Sequence, residues 1–145
     1  MKTSKLRYST LILFAFLFSS MSYGQVNSEE WKIIHEENGV KFFGKEIYCT
    51  NDSEEKPSFY AFLKIENTNS QEVRLIYTLA MEFEEGCSGC DLDSEFGTTI
   101  TIPAQGTVEA DCSLSQPSLY RIIRNLNLPG GWEYQSMKIV NLIID

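Results

Sequence analysis

Two cysteines three residues apart, Cys87-Ser88-Gly89-Cys90, sit inside the most acidic run of the chain. Residues 84–95 read EEGCSGCDLDSE, with Glu84, Glu85, Asp91, Asp93 and Glu95 and no basic residue. Two chemistries suit these residues. Asp91, Asp93 and Glu95, at alternate positions, could offer oxygens to calcium, a hard cation that takes about six to eight such ligands. The spacing departs from the twelve-residue calcium loop, because Gly97 falls one place late and Ile102 stands where a closing bidentate Glu belongs. The second chemistry is thiol–disulfide exchange through Cys87 and Cys90. It needs a lowered thiolate pKa, commonly supplied by a helix N-terminus in a βαβ setting. Flanking carboxylates oppose a thiolate, and no strand–helix–strand pattern surrounds the pair. The structural alternative is a solvated acidic loop stapled by Cys87–Cys90.

The chain has four cysteines, and four allow three pairings. Cys87 with Cys90 closes a local loop and leaves Cys49 with Cys112, joining distant parts of the chain. Closing a loop of that size stabilises by about 4 kcal/mol in the chain-entropy model. A structural zinc site is the competing use, but such sites present two close cysteine pairs and this chain has one. His35, the only histidine, lies between Ile34 and Glu36-Glu37 with no adjacent Ser or Cys to make a nucleophile–base pair. It reads as a solvated side chain. Arg121 and Arg124 could meet an anion, but two arginines more often stand as solvated charges.

The elements that must position these residues are strands. From Ser58 to Phe83, Phe59, Ala61, Leu63 and Ile65 alternate with Tyr60, Phe62, Lys64 and Glu66. After residues 67–71, NTNSQ, Val73, Leu75, Tyr77, Leu79, Met81 and Phe83 alternate with a more polar set. Period two gives each strand a buried face, and the Asn/Thr/Ser run between them is turn chemistry. The expectation is an antiparallel hairpin with a five-residue connection.

Around it, Trp31, Ile33 and Ile34 are expected to pin an N-terminal arm to the body. Asn38-Gly39 signals a tight hairpin, since both residues accept positive φ. The strand from Val40 to Cys49 follows, with a bulge expected at Gly44. Residues 51–53, Asn51-Asp52-Ser53, fit the N-glycosylation pattern in a polar loop. A strand over 96–102 points Phe96, Thr98, Ile100 and Ile102 inward; Pro103 ends it, and a short strand runs over 107–112. Leu119, Ile122, Ile123 and Leu126 fall at i, i+3, i+4 and i+7, which predicts a helix of two to three turns capped by Ser115 or Ser118, with Pro117 in its first turn. Pro129-Gly130-Gly131 stops it. The last strand, 136–145, is apolar on both sets of positions and is expected to be central.

The N-terminus reads as a targeting segment. Lys2, Lys5 and Arg7 precede an apolar run, Leu11–Phe18, and Ser22-Tyr23-Gly24 has the small residues of a cleavage site. That run is too short for a membrane core that needs about twenty residues. Residues 1–24 are therefore read as a signal peptide and 25–145 as one exported domain, periplasmic or extracellular, with no stable membrane insertion. The leader holds three of the twelve Lys+Arg and none of the twenty Asp+Glu, which leaves a net charge of −11 on the rest. That balance argues against nucleic acid and anionic membranes as partners.

The blocks NGVKFFGKEIYC (38–49), FLKIENTNSQEVRLIYTL (62–79), TIPAQGTVEADC (101–112) and MKIVNLII (137–144) resemble a group of uncharacterised exported β-sandwich proteins of Bacteroidota. The resemblance implies an exported β-sandwich and brings no activity or site residue with it. The fold class expected is all-β: an immunoglobulin-like or fibronectin-like antiparallel sandwich of six or seven strands with one short helix. The expected function is a non-enzymatic exported module, without a cofactor, that binds or supports a protein or envelope component. Calcium binding by Asp91, Asp93 and Glu95 is the first alternative, and thiol–disulfide exchange by Cys87/Cys90 the second.

Overall fold

The structure, a computed structural model, describes residues 30–50, 57–91, 97–125 and 133–145. Residues 1–29, Asn51-Asp52-Ser53, Phe96, Leu126 and Pro129-Gly130-Gly131 lie outside them, and so do the expectations placed there. The described chain forms nine strands: β1 (Lys32–Glu37), β2 (Val40–Cys49), β3 (Ser58–Asn67), β4 (Val73–Phe83), β5 (Gly86–Ser88), β6 (Gly97–Ile102), β7 (Thr107–Glu109), β8 (Tyr120–Asn125) and β9 (Tyr134–Ile144). All pairings are antiparallel, and they make two sheets packed as a β-sandwich.

In the first sheet β1 pairs β2, β2 pairs the whole of β3, and β7 and β8 share the other edge of β3. In the second, β9 runs along Leu75–Phe83 of β4, so β6 and β5 must share the opposite edge. Phe42 of β2 meets Tyr77 of β4 edge to face at 5.6 Å, which identifies the inner faces. Val40, Phe42, Leu63, Ile65, Leu75, Tyr77, Leu79 and Ile102 fill the space between them, each at most 1% exposed. Burying a side chain of this kind stabilises by roughly 1.5–3 kcal/mol.

Asn38-Gly39 makes the expected hairpin, with φ of 48° and 76°. The expected hairpin of β3 with β4 does not form. Both edges of β3 are taken, and β4 belongs to the other sheet, so residues 68–72 arch between the layers. Asn67, 2% exposed, holds the arch: its Nδ2 donates to the carbonyls of Gln71 (2.8 Å), Ile102 (3.3 Å) and Pro103 (2.9 Å), and its Oδ1 accepts from the Asn69 N–H. The turn after Pro103 likewise carries the chain from β6 in one sheet to β7 in the other.

The expected helix over 119–126 is also corrected. Pro117–Leu119 is a single 3-10 turn preceded by Gln116, with no side-chain cap from Ser115 or Ser118, and Tyr120–Asn125 is strand β8. The helical spacing has two sources. Leu119 enters the core from the turn, and the β3–β8 register slips by one at Ile123, so the inward positions stop alternating. Gly44 is no bulge: β2 and β3 pair through it without a shift, and the bulge lies opposite, at Ile34 of β1. A Cβ on Gly44 would stand 2.6 Å from Met137 Sδ, so the glycine admits β9 instead. Strand β9 is not central, since among the described residues it pairs with β4 alone. Its two apolar sets arise from a bulge at Asn141 (φ 54°), which moves Leu142 and Ile144 onto the face that Met137 and Ile139 occupy.

Candidate functional site

Both disulfides form: Cys49–Cys112 ties a flap onto the outer face of the first sheet, and Cys87–Cys90 closes a short loop on itself. Ala110 N–H donates to Leu63 O at the edge of β3 that β7 and β8 share (2.9 Å), whereas Cys112 is bonded to Cys49, at the far end of β2. The chain between them must cross β3. It crosses on the outer side, where Cys49, Tyr60 and Phe62 point, and those residues are 3%, 3% and 1% exposed. On the other sheet, β5 folds back on β4 with Glu82 opposite Cys87. The Cys87–Cys90 loop then lies over the outer face of β4: Gly89 (φ 83°) packs on Thr78 and Ala80, and Asn141 Nδ2 donates to Asp91 O at 3.3 Å.

Cys87 thus belongs to an exposed strand, with neighbouring carboxylates and, among the described residues, no helix end beside it. Of the calcium candidates, Asp91 is exposed; Asp93 and Glu95 lie outside the described residues. Among the described residues no group of three or more His, Cys, Asp or Glu side chains gathers as a metal site. His35 Nε2 stands 3.3 Å from Glu37 Oε2, and the ring lies edge-on to Phe42. Arg121 is not a solvated arm. Its guanidinium donates to Pro117 O (3.2 Å), Tyr120 O (2.9 Å) and Thr98 Oγ1 (3.5 Å) beside Tyr77, whose hydroxyl donates to Ser118 O.

Glu82, Ser136 and Lys138 form a polar cluster on the outer face of the second sheet. Ser136 Oγ donates to Glu82 Oε2 at 2.6 Å and Lys138 Nζ pairs with Glu82 Oε1. The Lys138 ammonium, then the Ser136 hydroxyl, hold the Glu82 carboxyl below its usual range. A carboxylate stabilised in its charged form is a poor base toward the hydroxyl it accepts from. The trio is an ion pair rather than an activated nucleophile.

The outer face of β1–β3 is different in kind. Phe42 points inward, so Lys41, Phe43 and Lys45 point outward, and Lys64 lies directly opposite Phe43. Lys45 Nζ sits over the Trp31 ring at 4.4 Å. Lys64 Nζ lies 5.9 Å from the same ring and 4.2 Å from Phe43. Each such contact is worth about 0.5–1 kcal/mol at an exposed site, enough to bias where an ammonium rests. Lys64 pairs with Glu66 at 2.9 Å and Lys41 with Glu36 at 3.7 Å, whereas Lys45 has no carboxylate partner among the described residues. Ile33, opposite Phe43 on β1, is 56% exposed rather than buried as a pin. Trp31 and Ile34 do pack against the core.

Of these residues, sequence reasoning singled out Trp31, Ile33 and Ile34, and for packing. The Lys41-x-Phe43-x-Lys45 period was visible, but Trp31 and Lys64 join it only through the β1–β2 and β2–β3 registers. The chain matches no family model, no curated protein and no solved structure.

Proposed function

We propose that the chain is an exported, non-enzymatic β-sandwich module that binds an envelope component through the outer face of β1–β3. The observation that carries this reading is the convergence of the Lys45 and Lys64 ammonium groups on Trp31 and Phe43. Lys64 is already held by Glu66 at 2.9 Å, whereas Lys45 has no carboxylate partner among the described residues, which leaves its ammonium available to an anionic group. The site stands on a stiff support, since β2 and β3 pair over ten residues without a register shift. Export is supported by the leader at 1–24 and by two disulfides, which persist in oxidising compartments.

Protein recovered from its host after export should co-sediment with the isolated envelope fraction. Lys45→Glu should abolish that retention. Arg74→Glu, the same charge change on the opposite sheet, should leave it intact. Equal loss in both variants would reduce the effect to net charge and sink the reading.

A further inference from the structure

We infer that β6 is a docking edge for a second copy of this chain, the two β6 strands pairing antiparallel about a twofold axis at Thr99. The N–H and C=O of Arg74 on β4 pair with Asp145, beyond the end of β9. A residue in an antiparallel ladder sends both groups to one side, so Val73 and Leu75 send theirs the other way, to Ile102 and Ile100 of β6. Gly97, Thr99 and Thr101 are out of step with those two, and they direct their N–H and C=O away from β4. Among the described residues no strand pairs on that side of β6. Thr99 and Thr101 are both exposed.

The other strands at sheet edges are protected. Bulges interrupt β1, β8 and β9, and β5 and β7 are three residues each, features that discourage a foreign strand. β6 runs six residues without a shift. Residues 97–108 carry no charged side chain, although residues 25–145 together carry −11. An uncharged edge offers a charged partner strand no ion pair, whereas its own copy brings the same neutral row and sets no like charges across the ladder. Pairing centred on Thr99 is self-complementary: Thr99 exchanges both backbone bonds with its counterpart, and Gly97 does so with Thr101 on either side. An edge of this length, about 20 Å, buries less than the roughly 1,200 Å² of a standard interface, so the dimer is reversible. The pairing does not depend on what the β1–β3 face binds. It turns that face to the same side in both copies, because the twofold axis stands perpendicular to the sheet.

Sedimentation equilibrium of the exported protein is the test. The average mass should rise from one copy toward two between about 10 μM and 1 mM, the range expected of a contact below standard size. Added sodium chloride should favour the dimer, since it screens the repulsion between two chains of like net charge. Thr99→Pro removes an N–H that the β4–β6 ladder does not use and should abolish the dimer, with circular dichroism to check that the variant is folded. Thr99→Glu, a change at an exposed position, sets two like charges face to face and should raise the dissociation constant about tenfold. Thr99→Cys should give a covalent dimer on mild oxidation, because paired Cα atoms about 5.5 Å apart suit a disulfide. Thr101→Cys should not, its counterpart lying about 13 Å further along the strand. A single-copy mass throughout that concentration range overturns the inference. So does a dimer that Thr99→Pro and Thr99→Glu leave intact, or equal cross-linking of the two cysteine variants.

Discussion

The Asn67 side-chain amide donates to the carbonyl oxygen of Pro103 at 2.9 Å, and with it one buried residue fastens two of the three places where the chain passes from one sheet to the other. The same end of the sandwich is stitched further. Asn67 N–H donates to Gly106 O, Gln105 N–H to Asn69 O, and Asn69 Nδ2 to Asn38 O of the first hairpin. Asn67→Ala removes two N–H donors shared among three carbonyls, of which the contact to Ile102 is buried and those to Gln71 and Pro103 are partly buried, and a buried group left unmet costs about 1–3 kcal/mol. The expected loss is roughly 2–4 kcal/mol by urea denaturation at neutral pH. Asn67→Asp should do no better, since its carboxylate would face those carbonyls with no proton to give. A loss below about 1 kcal/mol for the alanine variant would show the amide is dispensable.

The disulfides should differ in weight. Cys49–Cys112 closes a separation of 63 residues and Cys87–Cys90 one of 3. Loop entropy then assigns about 4 kcal/mol to the first and about 2 kcal/mol to the second. Replacing Cys49 and Cys112 together by Ala should also loosen the flap over Tyr60 and Phe62. Replacing Cys87 and Cys90 should leave the first sheet unchanged. Melting curves of the two double variants, with tyrosine fluorescence as the local readout, check the order. Equal losses would mean that strain or residual structure, and not loop length, governs them.

The strands themselves were legible because alternation records which residues face the core. Alternation does not record which strand lies beside which. The run from Ser58 to Phe83 therefore reads equally well as a hairpin or as an arch between layers, and the hydrogen bonds of Asn67 decide it. The other misreadings come from bulges. Ile123 breaks the period of β8 and mimics a helix; Asn141 breaks that of β9 and mimics a strand covered on both faces. The face proposed for binding was hidden for a related reason. Lys41, Phe43 and Lys45 share a face by local spacing, whereas Trp31 and Lys64 reach them only through long-range pairing.

Among the described residues the register irregularities fall on strands that pair on one side only: β1 at Ile34, β8 at Ile123, and β9 at Gln135 and Asn141, whereas β5, β6 and β7 pair without a shift. Bulges blunt the exposed row of backbone donors and acceptors that would otherwise pair with another chain. Deleting Asn141 should restore a straight edge while leaving Leu142 and Ile144 inward, opposite Tyr77 and Leu75, because removing the extra residue lets the alternation run on through them. The deletion variant should aggregate on light scattering. Asn141→Gly keeps the positive φ and should scatter as the parent does. A deletion variant that scatters as the parent does would deny the bulge its protective role.

Calcium provides a separate check on the acidic loop. Asp91 is exposed, and its carbonyl already accepts from Asn141. The melting temperature should be the same in calcium and in EDTA. A rise in calcium that Asp93→Asn and Glu95→Gln abolish would establish a site, because a ligand that binds only the native state stabilises it.

Stability should fall on the alkaline side through two tyrosines. Burial pushes Tyr77 well above its ordinary value of 10.0, with Arg121 opposing, and burial together with the Glu46 carboxylate, which accepts the Tyr134 hydroxyl at 2.8 Å, does the same for Tyr134. Both hold their protons more tightly folded than unfolded. Above about pH 10 the unfolded chain therefore binds fewer protons, and stability decreases as pH rises. Below that pH the contribution is complete. Tyr134→Phe removes a group that resists ionisation, so its denaturation midpoint should decline less steeply between neutral pH and the alkaline limit than that of the parent. At neutral pH the same variant should be destabilised by about 1 kcal/mol, since the hydrogen bond to Glu46 is lost. Parallel pH profiles for parent and variant would mean that Tyr134 ionises as freely in the folded protein as in the unfolded chain.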